Sequence, residues 1–198
     1  MALNPIQPVT LKNEFATLIP LERAHTNALG EAAKDGELWN LWYTFVATAD
    51  QMGNDIEERL IQRNEGSRLP FTVLTPEGEM VGMTSYLHID KPNRRVEIGS
   101  TWYAARAQRT PLNTACKLLL LSHAFDDLGC IAVEFRTHIV NHRSRRAIER
   151  LGAKLDGILR NHQIMPNGTY RDTCVYSIIR GEWPTVKTLL EHKLKGVR

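Results

Sequence analysis

Residues 96–135 read VEIGSTWYAARAQRTPLNTACKLLLLSHAFDDLGCIAVEF, and this stretch decides the fold. VEIGSTWY (96–103) follows the polar turn 90–95 and reads as a strand. A polar loop follows, and Thr110-Pro111 opens a helix: threonine is a good N-cap and proline is favoured at the first helical position. Leu118, Leu121, Phe125 and Leu128 recur at spacings of three, four and three, one apolar stripe that Gly129 closes. IAVEF (131–135) is then a buried strand. Strand, helix, strand in this order predicts a parallel crossover, hence a mixed α/β chain.

Towards the C-terminus, Asn141 caps a helix that carries Ala147, Ile148 and Leu151, with Gly152 just past its end. GILRNHQI (157–164) and RDTCVYSII (171–179) flank an Asn-Gly turn, so they form a hairpin. Val186, Leu189, Leu190 and Leu194 give the tail, 183–194, the period of an amphipathic helix. Towards the N-terminus, MVGMTSYLHI (80–89) and FTVL (71–74) make a second hairpin across TPEGE. A helix spans about 55–64, the stretch from Glu22 to Lys34 is helix-forming, and FATLIPL (15–21) is the first strand. The aromatic segment LWNLWYTF (38–45) lines a cleft or packs as core.

Composition bounds the function. With 198 residues and 42% hydrophobic content, the chain builds one domain, 1–198, with a real core. A net charge of +3, from 25 basic and 22 acidic residues, lacks the one-sided field of a dedicated nucleic-acid binder. Cys116, Cys130 and Cys174 share no metal-ligand spacing and read as reduced thiols. His138 and His142 have no third ligand in view, so no metal is expected. No signal peptide or membrane span is evident, and the expected location is the cytoplasm.

The ordered set of VEIG strand, polar loop, LLLLSHAF helix and NHRSRRAIERLGA helix resembles the GNAT superfamily of N-acetyltransferases. It is most similar to the branch of ribosomal-protein and other N-terminal acetyltransferases, over roughly residues 10–184, and the final hairpin fits that branch too. The resemblance implies a central, mixed, mostly antiparallel, twisted sheet of about seven strands flanked by helices. It also implies acetyl-CoA as co-substrate and an amine as acceptor. A protein N-terminus, an amino acid or peptide, and a small amine all remain open as acceptor, as does a homodimer. No nucleic acid or membrane partner is expected. The alternative is a module that senses acyl-CoA without turnover.

A helix N-terminus fed by a tight loop offers unpaired N–H groups and the positive end of the dipole, which suits a pyrophosphate. The superfamily loop pattern is Q/R-x-x-G-x-G/A; here it reads Gln108, Arg109, Thr110, Pro111, Leu112, Asn113. Pro111 replaces a glycine and has no N–H to give, leaving the amides of Leu112, Asn113 and Thr114. By resemblance Trp102 and Tyr103, at the end of the strand along which acetyl-CoA lies, join the cofactor set, and main-chain N–H groups of 98–103 serve as an oxyanion hole. Asn141 would hold the pantetheine arm and Ser144 would lie near the sulfur; plain capping explains both residues equally. Arg145 is the expected phosphate contact, and Arg143 belongs to a solvated face. The tyrosine acid of many relatives falls at Ile148, so Ser144 is the candidate in its place. Glu97, alone in an apolar strand, is either the general base or a carboxylate paired with Arg94, Arg95 or a neighbouring-strand arginine. His88 and His138 are the reserve proton acceptors.

Overall fold

The structure is a computed structural model that describes residues 3–196. Eight strands form one sheet in the order β1-β2-β3-β4-β5-β6-β8-β7. They are β1 (Leu11–Lys12), β2 (Thr17–Pro20), β3 (Leu69–Leu74), β4 (Met80–Asp90), β5 (Arg95–Tyr103), β6 (Ala132–His138), β7 (Lys154–Ile164) and β8 (Tyr170–Ile179). Five helices flank them: α1 (Thr26–Lys34), α2 (Met52–Asn64), α3 (Leu112–Ser122), α4 (His142–Glu149) and α5 (Trp183–Leu194). Every neighbouring pair is antiparallel except β5 and β6, which run parallel as the crossover requires. The expected count of about seven strands becomes eight because Leu11 and Lys12 pair with Leu18 and Thr17 at the sheet edge. Two residues are too few for any periodicity to reveal.

The register sorts the helices onto two faces. Tyr86 packs on Phe71 and its hydroxyl donates to the Leu120 carbonyl, so this face of the sheet lies under α3. Tyr176 accepts from Arg145 of α4 and pairs in register with Phe135, which puts α4 on that face as well. Thr72 points the other way and bonds His25, just ahead of α1, so α1 and α2 cover the second face. The α3 helix buries Leu112, Ala115, Cys116, Leu120 and Leu121, and a stretch of π-helix over His123–Asp127 carries Ala124 and Phe125 into the core. Leu118, the first residue of the expected stripe, is only partly buried, and Lys117 is buried in its stead. At roughly 25 cal/mol per Å² of apolar surface, this two-sided burial is the main force holding helices to sheet.

Candidate active site

The parallel pair that defines the crossover is joined only at its start. Arg95, Val96 and Glu97 pair with Ala132, Val133 and Glu134, and beyond that point the strands separate. Residues 98–103 of β5 and 135–138 of β6 therefore present main-chain N–H and C=O groups across an open gap. Such groups need a partner when desolvated. A bulge contributes to the divergence: the β4–β5 register slips between Met83 and Ser85, and Ser100 adopts a left-handed backbone at φ 47°. Gly82 lets the two strands approach where they stay together, because a methyl there would meet the Trp102 carbonyl oxygen at 2.1 Å.

Glu97 stands at the apex of this gap. Its register partner Glu134, and Arg136 and His138 further along β6, share its face of the sheet. The Glu97 carboxylate is buried, bonded to His88 Nδ1 at 2.7 Å and lying 3.5 Å from the Arg136 guanidinium. The hydrogen bond to Glu97 raises the His88 pKa above its ordinary value, against the opposing effect of partial burial. Of the expected arginine partners, the one on the neighbouring strand is found; Arg95 turns to Glu134 instead. A groove of about 500 Å³, lined by His88, Arg95, Glu97, Glu134 and Arg136 among others, opens this face to solvent. Ser67 also lines it, and the next residue, Arg68, donates to Ser100 Oγ at 3.0 Å; burial lowers the Arg68 pKa to about 10.

Further along β6, His138 is buried under Trp42 and Tyr43, whose rings meet it edge-on at 5.4 and 6.5 Å. Desolvation, then the Arg171 charge, lowers its pKa. The aromatic segment thus divides its roles: Trp39 packs against the core, whereas Trp42 is half exposed above the gap.

On the other face the loop and the second helix meet, as their shared order in the sequence suggested. Gln108 donates to the Tyr103 carbonyl at 2.7 Å and accepts from Arg143 of α4, which ties the loop to the first turn of that helix. The Thr110 hydroxyl accepts from Leu112 N at 3.3 Å, so this cap already occupies the first amide of α3. Among the described residues the amides of Asn113 and Thr114 have no such partner. Arg109 is exposed and takes a left-handed backbone, φ 62°, in the turn before Pro111. Asn141 caps α4 by accepting from Ser144 N at 3.0 Å, and its amide NH₂ has no partner among the described residues. Ser144 is half-buried, and its hydroxyl has no partner among the described residues. Arg145 is engaged with Tyr176 Oη at 3.0 Å and the Ile139 carbonyl at 3.3 Å, so Arg143 is the arginine that reaches the loop. Trp102 and Tyr103 are core side chains and can offer a ligand only their main chain.

Two charged residues on the elements that flank the gap were not singled out from sequence. Lys117 of α3 is buried and donates to Thr101 Oγ1 of β5 at 2.8 Å. A lone lysine inside the apolar run LNTACKLLLL was the available signal. Arg136 alternates with Glu134 in VEFRTH, a charged pattern in a central strand that is unusual for a fully buried one. Among the described residues no group of three His, Cys, Asp or Glu is placed to hold a metal. No described helix is long and apolar enough to cross a membrane.

Residues 16–154 match the family model described as "Acetyltransferase (GNAT) domain". The chain is similar to YdaF of Bacillus subtilis (strain 168), provisionally named a ribosomal N-acetyltransferase, with 32% identity over 107 residues, 54% of this chain and 57% of that protein. It therefore spans little more than half the length of that curated relative. A provisionally named acetyltransferase from T. thermophilus has 33% identity and a TM-score of 0.84, covering 96% of this chain and 100% of its own. A GCN5-related N-acetyltransferase from Brucella melitensis has 27% identity and a TM-score of 0.87, covering 98% of this chain and 89% of its own.

Proposed function

This chain belongs to the acetyltransferase (GNAT) family, and from that premise we propose that it transfers the acetyl group of acetyl-CoA to a primary amine by direct attack in a ternary complex. The reading treats residues 1–198 as one acetyltransferase domain. The observation that carries it is the separation of β5 from β6 with Glu97 at the apex. The free main-chain edges suit an extended arm containing amides. The amides of Asn113 and Thr114 at the α3 N-terminus suit a pyrophosphate, and Arg143 adds positive charge beside Gln108. Arg109, Thr110, Pro111 and Leu112 shape that turn, while the main chain of Trp102 and Tyr103 borders the arm. Asn141 offers its NH₂ to the same arm, and Ser144 offers a hydroxyl to the sulfur. Arg145, held by Tyr176, braces the α4 terminus.

Glu97 accepts the proton of the incoming amine. Two features support this role: it lies on the grooved face, and His88 holds one of its oxygens. An α-amine has a pKa near 8, so a modest base suffices. Main-chain N–H groups of 98–103 stabilise the charge that develops on the acetyl oxygen. An amine of a protein is the favoured acceptor, with support from the Bacillus subtilis relative, which is named for a ribosomal N-acetyltransferase activity.

The test is CoA release from acetyl-CoA with a panel of amines and N-terminal peptides. Glu97→Gln should lower turnover by ~100- to 10,000-fold with acetyl-CoA affinity nearly unchanged. A folded variant with normal turnover would assign Glu97 to structure. Tight CoA binding with no turnover on any amine would favour the sensing module.

A further inference from the structure

The acetyl-transfer reading leaves one buried charge unused. Lys117 is buried, donates only to Thr101 Oγ1 at 2.8 Å and forms no ion pair among the described residues. Thr101 Oγ1 also lies 2.8 Å from Thr84 Oγ1, so the ammonium ends in a short chain of hydroxyls. A buried ammonium without a counter-charge is costly, and an apolar side chain of the same length would fold at least as well. Thr101 stands on the unpaired edge of β5, one residue past the Ser100 bulge. Ile98 pairs with Tyr86 on the α3 face, which puts Glu97 on the opposite one. Glu97 and Thr101 therefore flank the same short stretch of strand from its two sides.

The departing sulfur needs a proton, and Ile148 cannot supply it. The Ser144 hydroxyl can bond to the sulfur but has no hydrogen-bonded side chain behind it among the described residues. We propose that Thr101, backed by Lys117, protonates the departing sulfur, so that a proton leaves the amine on one face of β5 and another enters on the opposite face. As the carbon–sulfur bond breaks, the bonding pair stays on sulfur and Thr101 gives it the Oγ1 proton. Lys117 replaces that proton from its ammonium group and regains its own from solvent after product release. Burial supports the role by lowering the Lys117 pKa to about 8, close to that of an ordinary thiol. Among the described residues nothing nearby competes for the charge. Burial keeps Cys116, Tyr103 and Tyr86 neutral and lowers the pKa of His123; Lys12 of β1 is exposed, and Lys187 of α5 is paired with Asp126.

This proposal rests on acetyl transfer, so its test includes a binding measurement that needs no turnover. CoA and desulfo-CoA are titrated into the wild type, Lys117→Met and Thr101→Val from about pH 6.5 to about 9.5. Sulfur and Lys117 share one proton through Thr101, so binding CoA releases a proton to solvent below about pH 8. The wild type should therefore prefer CoA over desulfo-CoA increasingly as pH rises toward 8, and both variants should lose that rise. In steady state both variants should drop kcat by ~100-fold with little change in the acetyl-CoA KM, and should lose the basic limb near 8. Variants that keep the sulfur-dependent preference and the limb would overturn the proposal. A wild type that binds CoA in this way yet acetylates no amine would overturn the acetyl-transfer reading and leave the Lys117–Thr101 pair standing.

Discussion

Replacing Lys117 with methionine should make the protein more stable at neutral pH, by an amount that depends on pH in a defined way. Burial lowers the Lys117 pKa from 10.5 to about 8. Each pKa unit is worth about 1.4 kcal/mol, so holding the ammonium in the core costs about 3 kcal/mol. The folded protein gives up this proton before the unfolded chain does. Between about 8 and 10.5 the unfolded state therefore binds more protons, and stability rises with pH through that window. Below about 8 both states carry the charge and the full cost applies.

Methionine has a similar length and no titration. Groups common to both proteins cancel in the difference, and Thr101 keeps Thr84 as its partner. Urea unfolding of both proteins at about pH 7 and about pH 10 measures the effect. The stability difference in favour of the variant should be larger at pH 7 by up to about 3 kcal/mol, which is roughly 6–12 °C in Tm for a chain of this size. A difference that is flat with pH would mean that Lys117 is solvated or paired in solution, and the reasoning from burial would fail.

Other consequences follow from the same geometry. Gly82→Ala places a methyl 2.1 Å from the Trp102 carbonyl oxygen, a main-chain atom that cannot swing aside. It should cost about 3 kcal/mol in urea unfolding and weaken CoA binding; a silent substitution would show that β4 and β5 are more loosely apposed. Asn141→Ser preserves a good cap and should leave Tm unchanged while acetyl-CoA affinity falls, and equal affinity would reduce Asn141 to a cap. Ser144→Ala should lower turnover without changing stability. Glu97→Gln should let the raised His88 pKa fall back toward 6.5, read by NMR of the ring nitrogens. The wild-type pair stabilises the fold below the unfolded His pKa and loses that contribution as pH rises through the folded value. An unshifted His88 would break the link between the two residues.

Much of this protein was legible in order along the chain, because local rules govern it. The parallel crossover from β5 through α3 to β6 follows from two apolar strands about a capped helix. The closing hairpin follows from Asn-Gly, and the cap of α4 follows from Asn141. Glu97 was visible as one carboxylate in an apolar strand, with its base and ion-pair readings both open. Tertiary structure decided what depended on distance rather than succession. Only the pairing of β5 with β6 shows where the strands separate and that Glu97 lies at the apex. Only packing shows that His88 and Arg136 are its partners, that Arg143 rather than Arg145 meets Gln108, and that Lys117 points inward to Thr101. Chain order fixes spacing within an element, but the direction of a long charged side chain is set by neighbours from distant segments. For that reason the family and its fold could be read from succession, and the partners of each charge could not.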